Sequence, residues 1–536
     1  MFDPSLALEL AYTAVEEAVR MNASFADVRY EALWEEEVGV SRGRLEVADA
    51  ATERGLGVRV LVGGAWGFSA ISEPTRHDVR VAVRRAVELA RAAAIVQDSP
   101  VELSEQVPQR GVYRTPVSRD PMGVPLDDKI HLLAGIDDRL RAHESIVTSK
   151  ARFHAQRRRK VYVSSEGAEI EQDLVYTGIG FRVGASDGER FQVRSFTGGG
   201  GIVLGRGWEM MRELGLEDRA DEVASEALEL LHADRCPEEA MDVILGGPQM
   251  AEHVARGLGP LFELERMLGF GGGGYSGTIL EPRDLGVRRL ASSHVHLSSD
   301  ARQRGGAGTF GFDDEGVSAE RIELLSEGRV AGYLASREMA AKVGLDRSRG
   351  SMRASSWSAP PTPRASNLIL QPGKNGDLEA LIAGTDRGVL IDGPSNLSFD
   401  ARGRTFVAAC ESAWLIEGGK RVRRLRNPSY RGSTEAFWGA CDGVADESVW
   451  GLYGRVVVDP WTRRPVPVGV GTSPARFGRV SVGSGPPQLI AAPSDEALPL
   501  LPVDGERAPG FARTFGPGRP RVSPVKRKRI PRSDVK

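Results

Sequence analysis

Cysteine is scarce in this chain: Cys236, Cys410 and Cys441 are the 3 present in 536 residues. They form no CxxC pair and no even set, which argues against a disulfide framework and against a structural zinc site made of cysteines. Long apolar runs are also missing, and none approaches the length of a membrane span. A signal peptide needs a basic start and an unbroken apolar core. Met1-Phe2-Asp3-Pro4 instead opens an amphipathic helix carrying Glu9, Glu16 and Glu17, so the expected location is the cytoplasm. Excess charge of one sign is lacking as well: a net charge of −3 gives no overall pull toward nucleic acid. Gly198–Gly201 and Gly271–Gly274 have no following Lys-Ser/Thr and no Gly-x-Gly-x-x-Gly form, so they read as flexible loops and not as phosphate cradles.

What is present is an ordinary globular composition, 41% apolar and 27% charged, with 64 glycines that favour turn-rich β structure. The length suggests two to four domains. Asp3 is placed to cap a helix over residues 3–21, with Leu6, Leu10, Ala14 and Ala18 on one face. Short β-like runs follow at 26–30, 37–41, 44–48, 56–61 and 65–70, with a turn at Gly63-Gly64. A second helix starts near Thr75, with Asp78 completing an approximate capping box. Residues 98–126 are Pro-rich and aperiodic, and read as a linker. A helix at 127–142, β-rich segments at 145–155, 160–165, 168–183 and 190–196, and a helix at 218–231 complete the first half. A boundary is placed near Cys236-Pro237. The second half is mostly short strands and glycine-rich turns around a helix that begins near Pro248. From about Gly485 the composition turns to Pro, Ala and Gly, and a basic cluster, Lys526-Arg527-Lys528-Arg529, lies near the end. That tail reads as disordered. The domain reading is therefore 1–235, 236–484 and a tail at 485–536.

Several segments, in order, carry a resemblance. Gly55-Leu56-Gly57-Val58-Arg59-Val60-Leu61 with Gly64-Ala65-Trp66-Gly67-Phe68 is similar to the N-terminal hallmark of the TldD/PmbA family, also called the modulator-of-DNA-gyrase family. Asp120-Pro121 with Pro125–Lys129, Ser164–Gly167, Ala335–Ala340, Arg364–Asn367 and Pro465–Gly471 resemble later segments of the same family. Together they span roughly residues 5–483. The resemblance implies an α+β fold: a curved, largely antiparallel N-terminal domain with helices, then a β-rich C-terminal domain. It also implies a homodimer, or a heterodimer with an active TldD-type subunit, and action on unfolded peptides at an enclosed zinc site.

Active members of that family carry His-Glu-x-x-x-His on a helix and a later Cys. Two imidazoles one turn apart and a thiolate hold the metal, and the Glu takes a proton from the metal-bound water. Carried onto this chain, the pattern falls on Ala251, Glu252 and Arg256, with Asp459 in the cysteine position. Ala cannot ligate, Arg cannot lose its proton, and one carboxylate does not make a site. Glu252 is then a vestigial general base, Ala251, Arg256 and Asp459 are degraded ligand positions, and no metal or other cofactor is expected. One reading has the Arg256 guanidinium standing in for the metal, paired with Glu252 or Asp459. The other has all three on solvated surfaces.

Other residues offer little. His253 adjoins Glu252, and His294 and His296 would share one face of a strand, but no third ligand has recognisable spacing. Cys441 reads as a core residue. Three functions are weighed: a non-catalytic, zinc-less subunit or peptide-binding relative of a peptidase complex, which leads; a working metallopeptidase with rearranged ligands, which alone would require zinc; and an interaction protein acting through its basic tail, the one place where nucleic acid is considered.

Overall fold

Asp3 accepts from the backbone N–H groups of Ser5 and Leu6, and this cap starts α1 (Pro4–Arg20). The structure is a computed structural model that describes residues 2–198, 200–270, 277–459, 464–485 and 528–529. After α1 come β1 (Phe25–Ser41), β2 (Arg44–Val62), β3 (Ala65–Ser72) and α2 (Arg76–Val96). Thr75 and Asp78 form the reciprocal capping box at the start of α2. The first half continues with β4 (Arg110–Arg114), α3 (Leu126–Leu140), β5 (Ile146–Ser164), β6 (Glu169–Ser186), β7 (Phe191–Ser195), β8 (Ile202–Leu204) and α4 (Leu216–His232). The fold is α+β, with 26% helix and 42% strand.

One sheet with the path β2-β1-β5-β6-β4 organises the first half, with β3 beside β2 and both β7 and β8 beside β6. Its pairings are antiparallel except that of β4 with β6. α1 and α2 bury Leu10, Ala14, Val83 and Val87 against Val28, Val58 and Val163. α3 and α4 bury Leu133 and Val223 in a second cluster with Phe153 and Phe181.

The strands run longer than their apolar residues predict. β1 and β5 are each continuous, because the charges that interrupt the sequence pattern are paired across strands. Arg158 lies 3.4 Å from Glu31, and Arg152 lies 2.9 Å from Glu37. A buried charge is tolerated when it has such a partner. The stretch expected to be a linker contains β4, whose five residues add to the edge of β6.

The second half holds β9 (Glu239–Leu245), α5 (Gly247–His253), β10 (Leu297–Asp300), β11 (Arg321–Ser326), β12 (Asn367–Leu370), β13 (Arg387–Phe399), β14 (Thr405–Glu417), β15 (Lys420–Arg426), β16 (Pro428–Ser433), β17 (Cys441–Val444), β18 (Gly451–Val458), β19 (Pro465–Thr472) and β20 (Ala475–Ser484). Pairing runs β13-β9-β20-β16-β14 and returns to β13, so these strands close on themselves. A second sheet runs β11-β10-β12-β19-β18. α5 packs on β13, β18 and β19, and so lies where the closed strands meet the second sheet. Met250, Ala251, Val254 and Leu258 share one apolar core with Val389, Ile391, Val468 and Val470.

A buried ion cluster joins the two halves. Arg59 of β2 reaches Asp27 at 2.5 Å and Glu315 at 3.0 Å, and Lys160 of β5 reaches Asp314 at 2.9 Å. The disordered tail expected from the sequence lies almost wholly outside the described residues. Within it, Arg529 and Lys528 pair with Asp49 and Ala50 at the edge of β2. Among the described residues no helix is long and apolar enough to cross a membrane.

Candidate functional site

α5 starts where β9 leaves the closed strands, and Pro248 lies in its first turn, where its missing N–H has no intrahelical acceptor to satisfy. The helix is only seven residues long. It widens into a π turn over Val254–Leu258 and then tightens over Gly259–Phe262. Such widened turns recur at functional sites.

Glu252 is held by two guanidinium groups. Its Oε2 accepts from Arg455 Nε at 3.0 Å, and its Oε1 accepts from Arg256 Nη1 at 3.3 Å. The two cations differ in setting: the Arg256 side chain is 49% exposed and that of Arg455 only 10%. Arg455 spends its other donors on backbone carbonyls. Nη2 donates to Pro248 at 3.0 Å and Thr197 at 3.3 Å, and Nη1 to Gly454 at 3.0 Å and Gly201 at 3.4 Å. One side chain thus ties the start of α5 to β18 and to the turn before β8. β18 runs so close to β8 that a Cβ on Gly454 would lie 1.5 Å from the Val203 carbonyl oxygen.

Ala251 is fully buried in the apolar core. Asp459 is buried too, and its Oδ2 accepts from Arg364 Nη2 at 3.1 Å. Arg364 also pairs with Glu263 at 3.4 Å. The expected pairing of Arg256 with Glu252 is present, and Asp459 is engaged by a different arginine. The solvated-surface alternative fits Arg256 but neither carboxylate. Sequence reasoning assigned Arg455 no role, and marked Arg364 only as the start of the family-like segment Arg364–Asn367. A signal for Arg455 existed: a lone arginine in the apolar run Leu452–Val458 calls for a carboxylate nearby.

His253 faces the core. Its ring is fully buried, with centroids 4.6 Å from Phe437, 4.7 Å from Phe406 and 5.6 Å from Trp438. Its Nδ1 lies 3.1 Å from the Tyr430 hydroxyl. Burial pulls its pKa down to about 3, so the imidazole is neutral. This corrects its candidacy as a rearranged ligand beside Glu252, because adjacent helical residues point about 100° apart and this one points inward. His294 and His296 do not share a strand face either. They sit in the turn before β10, where His294 is exposed and His296 Nδ1 accepts from the Glu327 N–H at 3.4 Å. Cys441 is buried in the core, as expected. The glycine run 271–274 lies outside the described residues.

These residues do not fit a zinc ion. Ala251 offers no donor atom, Arg256 brings a fixed positive charge, and both oxygens of Glu252 are already engaged by guanidinium groups. Among the described residues no three or more His, Cys, Asp or Glu side chains are grouped so as to hold a metal.

Three family models match in order along the chain. They are described as PmbA/TldA metallopeptidase domain 1 over residues 26–94, the central domain over 119–233 and the C-terminal domain over 239–484. The chain belongs to the PmbA/TldD metallopeptidase family. A metalloprotease of Synechocystis is 25% identical to this PmbA/TldD protein over 431 residues, covering 80% of this chain and 88% of its own. A zinc metalloprotease TldD homologue of Saccharolobus solfataricus is 22% identical, covering 81% and 91%. Two crystal structures share the fold. A protein of Thermotoga maritima described as a modulator of DNA gyrase has a TM-score of 0.71 at 16% identity, covering 89% of this chain and 100% of its own. TldE of Thermococcus kodakarensis has a TM-score of 0.66 at 17% identity, covering 89% and 100%.

Proposed function

We propose that this PmbA/TldD protein is a zinc-less member of its family, acting as the non-catalytic subunit or a peptide-binding relative of a peptidase complex. The observation that carries this reading is the double engagement of Glu252 by Arg455 and Arg256. A general base must be within reach of the water whose proton it takes, and in the family pattern a metal holds that water beside the Glu. Here each carboxylate oxygen already accepts from a guanidinium group. In this reading Glu252 is the vestige of the base, and Ala251, Arg256 and Asp459 stand at the degraded ligand positions. The division into residues 1–235, 236–484 and a basic tail at 485–536 belongs to the same proposal.

The natural partners on this reading are an active TldD-type subunit or a second copy of the chain, and the natural ligand is an unfolded peptide in the cytoplasm. The test is elemental analysis by inductively coupled plasma on protein purified without chelator. Substoichiometric zinc is expected, and stoichiometric zinc overturns the proposal. A peptidase assay on the protein alone is expected to show no chelator-sensitive activity. Co-expression with a family member bearing an intact His-Glu-x-x-x-His helix then tests pairing by co-purification.

A further inference from the structure

The first sheet and the second half enclose a partly open cavity of about 40 Å³. A water needs roughly 10–15 Å³ of such space, so the cavity has room for a group of about three heavy atoms. Charged and polar side chains line it: Arg158, Lys160, Tyr176, Asp313, Asp314 and Arg353.

Among the described residues the charges there do not cancel. Lys160 is paired with Asp314 at 2.9 Å, and Arg158 with Glu31 at 3.4 Å. The Asp313 carboxyl accepts from the N–H groups of Glu315 and Val317 at 2.9 Å and of Met352 at 3.0 Å. Burial pushes its pKa up to about 8, so it adds little negative charge at neutral pH. Arg353 remains. Its Nη1 donates to the Ala365 carbonyl at 3.0 Å, and among the described residues it has no ion-pair partner and no acceptor for Nε or Nη2. Burial pulls its pKa down to about 10, which still leaves it cationic at neutral pH. Tyr176 lines the same cavity close to Arg353, and among the described residues its hydroxyl has no hydrogen-bond partner either.

We propose that this cavity binds a carboxylate group, with the Arg353 guanidinium as its cation and the Tyr176 hydroxyl as a second donor. A half-buried cation facing a cavity without a counterion is poorly compensated, so the site is open to completion from outside. One uncompensated positive charge calls for a monoanion, and a planar guanidinium edge matches a carboxylate with two parallel N–H donors. The volume admits a carboxylate but not a residue. The inference deepens the peptide-binding reading above and rests on it: the group comes from a peptide C-terminus or from an Asp or Glu side chain.

Isothermal titration calorimetry on the full chain tests this with three probes: N-acetyl-tetraalanine, its C-terminal amide, and N-acetyl-Ala-Ala-Glu-Ala-amide. At least one carboxylate probe is expected to bind, and the tetraalanine amide is expected to bind far more weakly. Binding of the first probe alone assigns a peptide C-terminus, and binding of the third assigns a side chain. Arg353→Gln is expected to weaken carboxylate binding about 10- to 100-fold, the range for a lost charge-assisted hydrogen bond. The same variant is expected to melt no lower than the wild type without ligand, since it removes an uncompensated charge. Should Arg353→Gln fail to fold, Tyr176→Phe is expected to weaken the same probes several-fold. Equal affinity for the tetraalanine acid and amide, or no probe whose binding depends on these side chains, overturns the proposal. Zinc measured on the same sample keeps the two readings separate: stoichiometric zinc defeats the zinc-less assignment and leaves a carboxylate-dependent affinity standing.

Discussion

Arg455 donates from Nε to Glu252 at 3.0 Å while its remaining N–H groups hold carbonyls of Thr197, Pro248, Gly201 and Gly454. This pair, more than the outer one with Arg256, fixes the carboxylate that the family pattern marks as the base. A guanidinium with five donors and no acceptor suits such a junction, because every contact it makes is one-directional.

Replacing Arg455 by Met leaves Glu252 without its inner partner and strands several carbonyls. The expected loss of stability is about 3–5 kcal/mol, read from denaturant unfolding. Arg256→Ala, which removes a half-exposed cation, is expected to cost less than about 0.5 kcal/mol. Equal costs for the two variants contradict the ranking.

Chelation is expected to leave the melting temperature of the purified protein unchanged. A metal bound to the folded state at 100 times its Kd adds about 2.7 kcal/mol, which a melting curve detects easily. A drop in Tm on adding EDTA, restored by zinc, goes against the zinc-less assignment.

The His253 ring sets a pH dependence. Its pKa is lowered to about 3 in the folded protein by burial, while the unfolded chain titrates near the ordinary value of 6.5. Between these values the unfolded state binds the extra proton. The stability contributed by His253 is therefore complete above 6.5 and is lost as pH falls toward 3. His253→Phe is expected to reduce the slope of unfolding free energy over pH 4 to 5.5 by about 1.4 kcal/mol per pH unit. An unchanged slope places the ring in contact with solvent.

Gly454 permits β18 to lie against β8, and so permits Arg455 to reach the turn at Thr197 and Gly201. A Cβ there would lie 1.5 Å from the Val203 carbonyl oxygen. Gly454→Ala is expected to cost about 1–3 kcal/mol through forced backbone displacement, measured by chemical unfolding. Faster amide exchange around Ile202–Leu204 would mark where the strand has been pushed away.

Much of this fold was legible in local chemistry. Asp3 and the Thr75–Asp78 box announced two helix starts, because a cap needs only its nearest amides. Alternating apolar residues marked the strands but not their lengths. Glu31 and Arg158 lie 127 positions apart, and only their cross-strand pairing lets β1 and β5 run on uninterrupted. The buried ring of His253 was hidden for a related reason. A seven-residue helix has too few turns for its sequence to reveal which face is covered.

The sequence by itself determined the α+β class, the main helices and the absence of histidine at residues 251 and 256, because residue type and short-range spacing carry that information. Tertiary structure decided which cation holds Glu252, which arginine meets Asp459, and that Arg353 reaches a cavity where, among the described residues, no carboxylate pairs with it. Those outcomes depend on distances between segments roughly a hundred or more residues apart. An arginine's role is set by the nearest acceptor in space, and only the packed chain brings acceptor and donor together.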